Sequence, residues 1–154
     1  MMFKTHLAFG VLVGLLVMPF VYTPNKYIYF AVVLFGSLFV DIDHPNSKVG
    51  NKIQSVSKSF SAFFGHRGFI HSIWFALIAS GLIWYFISKP YGVALFIGMF
   101  SHLLIDGLTK EGVNLLNPIS RLHISGFVET GKSLETITFA IIIVLIAMQI
   151  IHAV

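Results

Sequence analysis

His66-Arg67-Gly68-Phe69-Ile70-His71-Ser72 joins a polar loop to an apolar run that continues to residue 87. Two imidazoles and a guanidinium at the mouth of a membrane-length segment are costly, and such groups are kept where something binds. Three further groups stand in the same kind of place. His6 opens the first apolar run, Asp41-Ile42-Asp43-His44 closes the second, and His102-Leu103-Leu104-Ile105-Asp106 closes the fourth. A helical membrane bundle with these groups at one end accommodates all of them.

The composition agrees. Of 154 residues, 56% are hydrophobic and 10% charged, against about 25% charged in a soluble domain. The mean hydropathy is +0.88. The length suits a single transmembrane domain over 1–154. Cysteine is absent, so disulfides and thiolate ligands are excluded and a metal would be held by His and carboxylate. The net charge of +4 comes from cations scattered between apolar runs, without a basic stripe interleaved with aromatics. They read as topology signals and headgroup contacts, not as a nucleic-acid surface.

The expected architecture is all-α, with about five transmembrane helices and one interfacial amphipathic helix. The spans fall at 7–21, 27–40, 69–87, 91–108 and 134–153, with tight turns at Thr23-Pro24-Asn25-Lys26 and Ser88-Lys89-Pro90. The second run, at about 14 residues, is short for a ~30 Å hydrocarbon layer. Gly92, Gly98 and Ser101 in the fourth allow close helix approach. Between spans two and three, Val49, Ile53, Val56, Phe60, Phe63 and Phe64 recur at helical spacing. Lys48, Lys52 and Lys58 fill the other face, the pattern of a helix lying in the headgroup layer. A second polar loop covers 109–133.

Five spans put eight of the ten Lys and Arg on the side of the N-terminus and only Lys26 and Lys89 on the other. The first side is therefore expected to be cytoplasmic, in a multi-pass membrane protein. His6, Asp41, Asp43, His44, His66, His71, His102, Asp106 and Glu135 all sort to that side. Scattered core histidines would not do so.

His102 and Asp106, four apart, project from one helix face. Asp41 and His44, three apart, can do likewise, while Asp43 points elsewhere, to a second ion or a supporting role. His66 and His71 flank Gly68, which lets both turn inward. The bland readings are an interfacial His6, a helix-ending turn at Asp41 to His44, and a packing hydrogen bond between His102 and Asp106. Against them, an acid in a span costs about 2.5–3.5 kcal/mol, so carboxylates this close to the apolar layer call for partners. Eight candidate ligands would suit one or two divalent ions, zinc favoured, with positions left for water. Arg67 is either a phosphate clamp or a topology charge. Glu135 is a ligand, a general base, or an acid favoured by the dipole at a helix start. His152 reads as bland, and His123 lies undecided in a loop.

These residues carry a resemblance over nearly the whole chain. Lys4-Thr5-His6, Asp41-Ile42-Asp43-His44-Pro45 with Ser47-Lys48-Val49-Gly50, and His66 to Ser72 come first. His102 to Asp106, Thr109, Gly112, Pro118, Arg121, Gly131 and Glu135 follow in order. The sequence resembles the YdjM family of inner-membrane proteins, known as membrane-bound metal-dependent hydrolases. The family's proline before the first Asp is Val40 here. The resemblance implies a small helical protein of a bacterial or archaeal inner membrane with a metal centre. The His-x-x-x-Asp pair is also similar to that of the all-helical zinc phospholipases C and related nucleases, which favours phosphoester chemistry. The expected function is metal-dependent hydrolysis of a lipid or lipid-linked phosphoester at the cytoplasmic face. The rivals are a divalent-ion transporter or sensor and a scaffold with a structural metal.

Overall fold

The computed structural model describes residues 1–43, 69–120 and 122–153. Five helices account for most of them: α1 (Phe3–Val17), α2 (Lys26–Phe39), α3 (Ile73–Phe86), α4 (Lys89–Gly107) and α5 (Ser133–Ala153). Their ends follow local chemistry. Asn25 Oδ1 accepts the Tyr27 and Ile28 amides at 2.9 and 3.2 Å and caps α2. Ser72 Oγ accepts the Phe75 amide at 3.3 Å and caps α3. Pro90 sits in the first turn of α4, where its missing N–H costs nothing.

Among the described residues, three segments are long and apolar enough to cross a membrane: Phe3–Phe20, Lys89–Gly107 and Ser133–His152. Helices α2 and α3, at 14 residues each, reach only about 21 Å. Short 3₁₀ turns lengthen both at the same end, Val40–Asp43 after α2 and Phe69–His71 before α3. The expected interfacial helix at 49–64 lies outside the described residues.

Helix α4 is the centre, packed against α1, α2 and α3, while α5 packs on α1. The α2–α4 seam is built from small residues. A Cβ on Gly36 would stand 2.8 Å from the Leu95 carbonyl oxygen, and one on Gly98 would overlap the Val33 carbonyl. Only glycine lets the two backbones come so close, so the sequence reading of Gly98 as an approach point holds. Val40, Ile70, Ala76, Leu95, Met99 and Leu103 form the core beside the seam.

The all-α expectation needs one correction. The loop after α4 contains a two-stranded antiparallel sheet, β1 (Val113–Asn114) with β2 (His123–Ile124). Strands of two residues are too short to show periodicity in a sequence. The loop folds back on the bundle: Val128 N–H donates to the Leu108 carbonyl at 3.0 Å, and Ile73 N–H donates to the Leu115 carbonyl at 2.9 Å. His123 lies exposed in β2, with Nδ1 3.0 Å from Asn114 Oδ1.

Candidate metal centre

With the chain passing up and down, the N-terminal ends of α1, α3 and α5 share one end of the bundle with the C-terminal ends of α2 and α4. Four elements deliver side chains there. The first turn of α1 carries His6, the turn after α2 carries Asp41, the turn before α3 carries His71, and the last turns of α4 carry His102 and Asp106. Two overlapping sets, His6/Asp41/His102 and His71/His102/Asp106, have donor atoms that all lie within 4.8 Å of one another. His102 belongs to both and is completely buried.

His102 is held from behind. Its Nδ1 donates to the Ser37 carbonyl at 2.7 Å, which fixes the tautomer and leaves the Nε2 lone pair facing the cluster. Nε2 lies 3.4 Å from Asp106 Oδ2 and 3.7 Å from Asp41 Oδ1. It has no hydrogen-bond partner among the described residues, and neither does His6 Nδ1. The His6 ring stacks on that of His102, with centroids 4.0 Å apart and planes 12° apart, and its Nε2 is 3.4 Å from Asp106 Oδ1. His71 meets His102 edge-on at 5.4 Å. The Met1 amine also reaches Asp106 Oδ1, at 2.9 Å, so this carboxylate already draws a cation.

These distances fit a shared ion. Donors about 2.0–2.1 Å from a tetrahedral zinc stand about 3.3–3.4 Å from each other. Such spacing is long for a hydrogen bond and ordinary for two ligands of one metal. A buried imidazole nitrogen with no hydrogen bond, facing two carboxylates, is what a ligand set looks like from the protein side. The mix of imidazole and carboxylate suits zinc and other first-row divalent ions.

Of the predicted site residues, the structure gathers His6, Asp41, His71, His102 and Asp106. His44, His66 and Arg67 lie outside the described residues, and Asp43 is described by its backbone alone, in the turn with Asp41. Glu135 is at the same end and fully buried, but its oxygens face other groups. Oε1 accepts the Met2 N–H at 2.5 Å and the Thr5 hydroxyl at 3.1 Å, and Oε2 accepts the Gly131 N–H at 2.6 Å. Sequence reasoning missed Ser37, which meets His102 through its backbone carbonyl and so leaves no side-chain signal. Outside the spans, Lys110 and Lys132 bracket Glu129 and hold its carboxyl down to about 2, chiefly through the hydrogen bond from Lys110.

A mostly helical membrane protein with a buried His/Asp cluster at one end is the class these features define. Within it, the chain belongs to the YdjM inner membrane protein family, whose family model matches residues 1–153. It is 38% identical over 112 residues to the uncharacterized protein YvsG of Bacillus subtilis (strain 168), covering 68% of this chain and 67% of that one. It is 41% identical over 91 residues to the inner membrane protein YdjM of Escherichia coli (strain K12), covering 53% of this chain and 44% of that one. The match thus spans less than half of the Escherichia coli protein. No solved structure matches the chain.

Proposed function

We propose that this protein is a metal-dependent hydrolase of the bacterial inner membrane, acting on a lipid or lipid-linked phosphoester at the cytoplasmic face. In this reading all five apolar helices cross the bilayer, α2 and α3 with help from their 3₁₀ turns, and the N-terminus is cytoplasmic. The lysine and arginine distribution supports that orientation. The observation that carries the proposal is His102. Its ring is fixed by the Ser37 carbonyl, and its opposite nitrogen, which makes no hydrogen bond among the described residues, faces Asp41 and Asp106.

His6, Asp41, His71, His102 and Asp106 would hold the ion, zinc favoured. A divalent ion in such a site lowers the pKa of bound water and polarises a phosphoryl oxygen. The chain's own groups supply the rest. Ser37 orients His102, and the His6 ring backs it by stacking. Asp41, at 16% side-chain exposure against 5% or less for Asp106 and the histidines, marks the side open to a headgroup. Arg67 follows one of the candidate ligands directly in sequence and is assigned the phosphate.

The test is a hydrolysis screen of phospholipids and polyprenyl phosphates with zinc-loaded protein in nanodiscs. Headgroup or phosphate release by the parent, abolished in His71→Ala His102→Ala, is expected. Release that survives the double substitution would refute the assignment. The near-complete burial of four donors also favours a second reading, a non-catalytic divalent-metal protein. Metal flux into proteoliposomes without lipid hydrolysis would select it.

A further inference from the structure

Glu135 is as buried as the cluster residues, yet its carboxylate is spent on two helix starts. It lies in the first turn of α5 and accepts the Gly131 N–H just ahead of that helix, in the manner of a capping box. Its other oxygen accepts the Met2 N–H and the Thr5 hydroxyl. Met2 is the N-cap of α1 and makes no side-chain cap of its own. The cap of α1 therefore comes from α5. A carboxylate accepts through two oxygens with about four lone-pair positions, and three donors already converge here. Two positive helix ends also meet at this one negative group.

His6 follows Thr5 directly, in the turn that Glu135 ties down. We infer that Glu135 is a positioning residue: by capping α1 from α5 it sets where His6 stands against His102 and Asp106. The cap stands on the hydrogen bonds alone, while its consequence for ligation rests on the metal reading above. Packing of Ala8 and Leu12 on Ile105 and Ile142 joins α1 to its neighbours independently of Glu135, so variants at 135 are expected to fold.

The test uses the full chain in nanodiscs. In metal-free protein, Glu135→Gln turns an NH₂ group toward one of three donors and should speed amide exchange across residues 2–9 about tenfold or more. Thr5→Val should speed it less, and Thr5→Ser should match the parent. Unchanged exchange in Glu135→Gln would overturn the cap. With Co²⁺ as probe, visible absorption should show Glu135→Gln weakening binding as His6→Ala does, about 10- to 100-fold. The Glu135→Gln His6→Ala protein should lose no more than His6→Ala alone. Losses that add would make Glu135 a ligand in its own right and overturn the positioning role. A parent that binds no Co²⁺ would defeat the metal reading and, with it, the step to His6, whereas the exchange data would still decide the cap.

Discussion

Helices α4 and α5 are both long enough to cross a membrane, but they are used in opposite ways. In α4, 61% of the span is buried within the protein, against 11% in α5. The buried helix carries Gly98, where no side chain fits, and both His102 and Asp106. The exposed one fixes its start through Glu135 and then presents Ile141, Val144, Leu145 and Met148 outward, each more than 40% exposed. An apolar side chain facing lipid has little packing to lose, because the surrounding hydrocarbon resembles it. Position in the bundle separates the helix that builds the site from the helix that frames it, and the exposed helix is the more apolar of the two.

That contrast can be broken by substitution. The largest effect is expected at His102: His102→Ala should weaken divalent-metal binding more than 100-fold, roughly beyond what losing a supporting group costs, as read by competition with a chromogenic chelator. Gly98→Val comes next. It forces α2 and α4 apart and should destabilise the fold by about 1–3 kcal/mol or more, seen as a drop in the detergent-solubilised melting midpoint. Leu145→Ala on α5 should change that midpoint little, within about 0.5 kcal/mol. An equal loss at positions 98 and 145 would erase the distinction between the two helices. The smallest effect belongs to the exposed loop. Glu129 is held down to about 2 from an ordinary value of 4.5, so its pairing with Lys110 and Lys132 stabilises above pH 4.5 and is lost as pH falls through about 2. Glu129→Gln should lower the midpoint slightly at pH 7, and the gap should close on acidification toward pH 2.

Much of this was legible in the sequence. The apolar runs located all five described helices, because a sustained apolar run is a composition signal that needs no partner. The gathering of His6, Asp41, His71, His102 and Asp106 was legible from their sorting to one end, since alternating helices must bring those ends together. The role of Glu135 was not. A glutamate at a helix start reads alike as ligand, base or cap, and its hydrogen bonds to Met2 and Thr5 depend on how α1 packs beside α5. Ser37 was hidden for a related reason: it acts through its carbonyl, a group every residue carries. The sheet at 113–114 and 123–124 depends on the loop folding back onto α4, which two-residue strands do not announce.

X-ray absorption at the metal edge of purified, zinc-loaded protein is the most direct probe of the centre. One class of ion with nitrogen and oxygen neighbours at about 2.0–2.1 Å, imidazole scattering in the parent and a reduced imidazole contribution in His6→Ala is the predicted result. Protein that retains no zinc after desalting, or zinc whose spectrum is the same in parent, His6→Ala and His102→Ala, would contradict the account.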